Sequence, residues 1–237
     1  VIDLEKNIWI GLMEDEEITQ IDPAGLLRGN SKLEDYPLNG EAKGILADIV
    51  STHFNSTNLI PSERMITIED RDKALVVNSC QGNRINEAIG HYLLAMASTR
   101  SGKWGRLIVE PCRISLQVAG VRPAELIEWL AETPPDALEG VLSVTLPNSR
   151  EVRWRFAQVA KIFGILKHGV DPRKINLQAL LKKYRGTPVM EEVLNKLFHE
   201  RMDIAGATDV LRGIQSGLIG LKVTAAGPLG ISSRSEK

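Results

Sequence analysis

Apolar residues recur at helical spacing most clearly over 81–102, "QGNRINEAIGHYLLAMASTRSG". Ile85, Ala88, Ile89, Tyr92, Leu93 and Met96 fall on one face, with Asn83 as the expected N-cap and Gly102 as the stop. Residues 41–54 predict a second helix, with Ile45, Ile49 and His53 inward. Period-two runs at 64–70 and 73–80 predict two strands joined as a hairpin. A strand is expected over 105–120, broken at Pro111, and a helix over 122–133 with Pro123 near its start. "NIWIGLM" at 7–13 reads as a strand, "EDEE" at 14–17 as a solvated loop, and 18–40 as a long connection. The stretch 134–149 holds two prolines and then an apolar run, and its pattern fits no single element.

From residue 150 the pattern turns helical, with short loops. Asp171-Pro172 predicts a cap and first turn. Leu177, Leu180, Leu181 and Tyr184 share a face, and Gly186 ends that helix. Thr187-Pro188 starts the next, with Glu191 and Glu192 where the helix dipole favours them and Val189, Val193 and Leu197 inward. A short helix over 206–217 and a closing strand over 218–224 follow. The pair spanning 175–200 has the outline of a helix-turn-helix.

These elements predict an α+β fold. Its N-terminal half carries a mixed or antiparallel sheet with flanking helices. Its C-terminal half is a helical bundle with the helix-turn-helix-like pair and the closing strand. The expected division is 1–149, of which 1–40 is a linker-like lead-in, and 150–237, a basic helical part.

The 237 residues, 43% hydrophobic and 25% charged, are enough to bury a sizeable core. Net charge is only −1, so no global field draws the chain to a polyanion. The distribution is uneven. Residues 1–72 carry 15 acidic and 6 basic side chains, whereas 150–185 carry 10 basic and 2 acidic. A local basic surface is therefore the feature to explain. Cys80 and Cys112 both lie in apolar runs, which predicts buried thiols and a reducing, cytoplasmic setting. No apolar run reaches the length of a membrane span, so no membrane partner is expected. The chain opens on Val1 rather than Met, which predicts a piece of a longer polypeptide.

On a helical wheel, residues 151–163 place Val152, Phe156, Val159 and Phe163 on one stripe. Trp154 falls almost opposite, with Gln158 and Lys161 on its side and Arg153 and Arg155 flanking the stripe. An outward tryptophan among cations stacks a nucleobase while the cations hold phosphates. The plainer alternative packs Trp154 against another element. Lys167, Arg173 and Lys174 follow in or near a loop and extend a phosphate-tracking patch. Lys182, Lys183 and Arg185 are accounted for by the C-terminus of their helix. "SCQGNRINEA" runs from strand through a glycine turn into a helix start, where backbone N–H groups and Arg84 can hold an anion. An ordinary strand-to-helix turn is the simpler account.

Catalytic signatures do not emerge. "SGKWG" at 101–105 lacks the spacing of a G-x-x-x-x-G-K-[ST] loop. "DEEI" at 15–18 reads as a surface loop rather than an ATPase acidic box. His53, His91, His168 and His199 have no metal-ligand spacing with each other or with the cysteines, and no G-x-S-x-G elbow occurs. No catalytic residue, metal ligand or cofactor of this chain is expected.

Several stretches carry a family resemblance. "NSCQGNRINEAIGHYLLAMAS", "EPCRISL", "RWRF" with "AKIFG", and "YRGTPVMEE" resemble the region that follows the motor in Lhr-type, or large helicase-related, proteins of the archaeal type. The resemblance covers roughly 40–225. It implies a superfamily 2 ATP-dependent helicase with two RecA-like motor domains, a winged helix and a C-terminal DEAD/H-associated region, to which this chain corresponds. The implied parent is a 3′-to-5′ translocase on single-stranded DNA that unwinds duplexes and RNA–DNA hybrids in DNA repair. ATP and Mg²⁺ would belong to its motor domains. The chain itself would complete the tunnel around the tracking strand and pack on the motor and winged-helix domains of the same polypeptide. The resemblance also implies an aromatic stack in this region. Trp154 is one candidate for it, beside Trp9, Trp104 next to Lys103 and Arg106, and Trp129 in an apolar helix face. The expected function is thus a nucleic-acid-binding accessory domain. The alternative is a structural module that packs on the motor without touching nucleic acid.

Overall fold

The structure, a computed structural model, describes residues 39–72, 74–167 and 175–231. The expected strand at 7–13, the acidic loop at 14–18, most of the 18–40 connection, and His168, Asp171, Pro172, Arg173 and Lys174 lie outside the described residues.

Among the described residues, eight helices and one five-stranded sheet make an α+β fold. Helix α1 spans Gly40–Thr57, β1 Met65–Arg71, β2 Ala74–Asn78 and α2 Asn83–Ser101. Strands β3, Arg106–Glu110, and β4, Arg113–Gln117, follow, then α3, Pro123–Glu132, and α4, Leu138–Thr145. Helices α5, Arg150–Ile162, α6, Leu177–Tyr184, α7, Pro188–Arg201, and α8, Ile204–Gln215, lead to β5, Gly220–Thr224. The sheet order is β3-β4-β2-β1-β5, antiparallel except for the parallel β1–β5 pair. Strand β5 lies at the edge of the sheet and runs parallel to β1, a pairing that a long connection through helices permits and a hairpin does not.

The 105–120 stretch is a hairpin rather than one interrupted strand. Pro111 lacks an N–H and sits with Cys112 in the turn between β3 and β4. The ambiguous 134–149 stretch becomes a 3₁₀ turn at Pro135–Ala137, helix α4 and a second 3₁₀ turn at Leu146–Asn148. In α1 the inward face is Ala42, Leu46, Val50 and His53, so the buried stripe is one residue on from Ile45 and Ile49, which are half-buried. The cap of α2 is Gly82 at φ 84°, a conformation open to glycine, and Asn83 is the first helical residue.

One face of the sheet is apolar. Ile66, Ile68, Leu75, Val77, Ile114 and Leu116 point from it into a single core shared with α2, α3 and α4 and with α5–α8. Helix α2 lies on β3 and β4 so closely that a Cβ at Gly90 would stand 3.0 Å from Ile114 and Leu107 side-chain carbons. Asn86 secures its start. The buried Nδ2 donates to the carbonyls of Ser79, Glu110 and Pro111 at 2.8, 3.1 and 2.9 Å, tying the helix to the ends of β2 and β3.

The opposite face holds Thr67, Glu69, Asn78, Arg113 and Ser115, all buried. Most of these polar groups pair with one another and with the C-terminal turn, while the Ser115 hydroxyl has no hydrogen-bond partner among the described residues. Glu69 accepts from Asn78 at 2.8 Å and from Arg71 at 2.6 Å, and Arg71 also donates to the Gly227 carbonyl. His53 of α1 accepts from the Leu229 N–H through Nδ1 at 3.3 Å.

Candidate nucleic-acid interface

Helix α5 carries the basic segment. Ser149 starts it, its Oγ accepting from the Val152 N–H at 3.2 Å. Val152, Phe156 and Val159 are fully buried along its inner face, with Ala157 and Ala160 beside them. Phe163, expected on the same stripe, is 49% exposed. The α-helix ends at Ile162, so the wheel no longer governs the next side chain. Trp154 is 63% exposed and Gln158 is exposed, as the wheel predicts.

The cations on α5 have different environments. Arg155 is mostly covered and lies 2.5 Å from a Glu200 carboxylate oxygen of α7. It ties two helices together. Lys161 is half-buried, and Lys167 is exposed beyond the helix end. Arg153 turns to another surface, the wall of a cleft that it shares with Trp104, Pro147, Gln178, Lys182 and Arg185.

Trp104 is 86% exposed, in the link between α2 and β3. An indole left in water to that degree forgoes about 3 kcal/mol of burial, so its position calls for a reason. It lines two neighbouring clefts. The second, about 460 Å³, runs between the C-terminal half of α2 and the end of α4. Arg185 lines both clefts and donates to the Val144 carbonyl at 3.2 Å. Lys103 also lines the α2–α4 cleft, and among the described side chains no aspartate or glutamate lines either one.

Thus Trp104, Arg153, Lys182 and Arg185 come together, although they belong to a loop and two separate helices. Asn176 places Lys182 and Arg185: its Oδ1 caps α6 by accepting from the Ala179 N–H at 3.1 Å. The dipole account of Lys182 and Arg185 is compatible with this placement and does not reveal it. No sequence signal short of the tertiary contact marks Arg185 as a neighbour of Trp104.

Arg84 lies elsewhere. Its guanidinium donates to the carbonyls of His199 and Met202 at 2.8 and 3.0 Å, satisfying the open end of α7. It sits at the start of α2, whereas Trp104 lies in the link that follows the other end of that helix. Trp129 is half-buried against the core. Trp9 lies outside the described residues.

Cys80 and Glu87 are buried titratable groups whose surroundings shift their protonation. The Cys80 thiol is pushed well up by its hydrogen bond with Cys112 and by burial, so it stays protonated and un-nucleophilic. Burial pushes Glu87 up, but hydrogen bonds from His91 and Arg201 outweigh it and hold the carboxyl below its ordinary value. Among the described residues no group of three or more His, Cys, Asp or Glu side chains could hold a metal ion. Among them, too, no helix is long and apolar enough to cross a membrane.

Comparison with known proteins places this architecture. The family model described as DEAD/H associated matches residues 60–230. The chain is 23% identical over 185 residues to the ATP-dependent helicase Lhr-Core of Sulfolobus acidocaldarius, covering 72% of this chain and 21% of that protein. It is 25% identical over 218 residues to the ATP-dependent helicase Lhr-Core of Saccharolobus solfataricus, covering 84% and 25%. The chain therefore spans about a fifth to a quarter of the length of these curated relatives. Among solved structures it superposes on the Mycobacterium smegmatis helicase Lhr bound to ssDNA and AMP-PNP, with a TM-score of 0.69. That match has 15% identity and covers 89% of this chain and 29% of the other, a likeness of fold. With the family match spanning most of the α+β fold, the chain belongs to the DEAD/H-associated family, as the region found in Lhr-type helicases.

Proposed function

We propose that this chain is the nucleic-acid-binding accessory domain of an Lhr-type ATP-dependent helicase, contacting the single strand along which the motor tracks. The observation that carries the reading is the surface around Trp104, where Arg153, Lys182 and Arg185 converge beside an exposed indole. Clustered cations hold phosphates, and an open aromatic face takes a base. Trp154 and Lys161 on α5, and Lys167 beyond it, extend the same basic stretch. Arg173 and Lys174 belong to it by sequence. The solved relative with bound ssDNA has the same fold, which makes a strand the natural ligand to test.

On this reading the ATP and Mg²⁺ chemistry belongs to RecA-like motor domains of the same polypeptide. The accessory domain would hold the strand against them and couple their movement to unwinding. DNA repair and a cytoplasmic location follow from the same reading, and an RNA–DNA hybrid is a second substrate to assay.

The test is binding of a fluorescent single-stranded oligonucleotide across a salt series. Affinity should fall with salt. Replacing Arg153, Lys182 and Arg185 together by Gln should lower the slope of log K against log salt by about 2, at about 0.7 per phosphate contact on a single strand. An unchanged slope removes these residues from the interface. Absence of binding, with capture of a separately expressed motor fragment, favours the structural module instead.

A further inference from the structure

The polar face of the sheet is covered by the main chain of residues 225–231. This segment leaves β5, makes a 3₁₀ turn at Pro228–Gly230 and lies against α1, β1, β2 and β4. The polar contacts that hold it, among the described residues, all use its main chain. Arg71 donates to the Gly227 carbonyl, and Arg113 donates to the Ile231 carbonyl. The Gly227 N–H donates to Glu69, and the Leu229 N–H to His53 Nδ1, each at 3.3 Å. A Cβ on Gly227 would run into the His53 ring, and one on Gly230 into the Glu69 carboxylate. Glycine at both positions is what lets the main chain come so close. Leu229 is buried between these contacts.

His53 Nε2, Asn78 Oδ1 and Ser115 Oγ are buried there with no hydrogen-bond partner among the described residues. Water admitted to this face would satisfy them, so wetting it costs far less than wetting the apolar face. The covering segment can therefore lift without opening the core. We propose that residues 225–231 form a pH-gated strap, closed while His53 is neutral and released when His53 takes up a proton, with the sheet still folded. Nδ1 is the acceptor for the Leu229 N–H, so a proton on Nδ1 sets donor against donor. The charged groups facing His53 are Glu69 and Arg71 of β1, the first favouring the cation and the second the neutral ring. Burial outweighs both and favours the neutral ring. Arg113 of β4 holds the far end of the strap, and Lys222 of β5 shares the sheet face but is exposed. The strap itself and residues 49–57 of α1 carry no other ionisable side chain. The device does not depend on the single-strand reading above.

The experiment is hydrogen exchange by mass spectrometry on the whole chain between pH 7.5 and 5, corrected for intrinsic exchange rates. Protection of the amides at 229–231 should be constant above pH 6.5. Below that it should fall by up to about tenfold per pH unit and level off below the folded-state pKa of His53, as one-proton linkage requires. Strap amides should also exchange at least about tenfold faster than those of α2 at every pH, the mark of a local opening. His53→Gln keeps an acceptor for the Leu229 N–H but does not titrate, so its strap should stay protected at both ends of the range. Gly230→Ala has no room for its Cβ against Glu69, so its strap should exchange freely at every pH while α2 remains protected. Flat protection of the wild-type strap across the range overturns the proposal. An unchanged pH dependence in His53→Gln overturns it too, by moving the titration to another group. Equal protection of strap and α2, or loss of α2 protection in Gly230→Ala, makes the segment part of the core and overturns the release.

Discussion

At the residue scale, local periodicity was a good guide wherever the helix continued. Val152, Phe156 and Val159 are buried and Trp154 is exposed because each follows from a 100° turn per residue. Phe163 escaped the rule one residue past the end of α5. His53 shows the limit of reading a residue alone. The spacing placed it inward, but its partner, the Leu229 N–H, arrives from the far end of the chain. Its Nε2 has no hydrogen-bond partner among the described residues. Burial lowers the His53 pKa, with Glu69 opposing the shift and Arg71 adding to it. A folded-state pKa below the unfolded 6.5 means the unfolded chain binds the proton more readily. The stability contributed by the neutral ring is therefore full above pH 6.5 and is lost as pH falls through the folded value. Urea midpoints should drop between pH 7.5 and 5.5, and drop less in His53→Gln. Parallel curves for the two proteins would remove His53 from that slope.

At the element scale, the described helices other than α4, and strands β1, β2 and β5, match the sequence pattern to within a few residues, because hydrophobic period and turn residues are local signals, whereas the expected single strand over 105–120 is the β3–β4 hairpin. The α4 region does not match, since a short helix between two 3₁₀ turns leaves no sustained period. How elements are tied together was also hidden. Asn83 looked like a cap, whereas Asn86, three residues on, does the joining. Asn86→Ala would leave buried carbonyls of Ser79, Glu110 and Pro111 without this donor. It should cost about 1–3 kcal/mol in chemical denaturation, as buried unsatisfied polar groups do. A change under ~0.5 kcal/mol would mean that the hairpin turn holds without it.

At the scale of the whole molecule, the last strand matters more than its length indicates. Strand β5 pairs with β1, so residues beyond 217 complete a sheet begun at 65. Apolar residues from the sheet, α2–α4 and α5–α8 form one continuous core. Thermal unfolding should accordingly follow a single transition by near- and far-ultraviolet circular dichroism and by fluorescence. Two separable transitions would instead support a division near 149. The candidate interface depends on the same closure. Trp104 meets Arg153, Lys182 and Arg185 only after α5 and α6 have packed back over the end of α2.

The sequence by itself determined the α+β class, the inward face of α5, the local excess of positive charge and the family resemblance. Each depends on neighbours a few residues apart or on quoted stretches of chain. Tertiary structure alone decided which cations face a tryptophan. Arg155 is as available as Arg153 by sequence, yet it pairs with Glu200, and Arg84, a candidate anion ligand at the start of α2, satisfies the end of α7. Arg153 lines the Trp104 cleft with Lys182 and Arg185, residues whose charges had a sufficient local explanation. Helix packing brings distant residues together through shared burial of apolar faces, and a helical period does not specify which exposed residues then become neighbours.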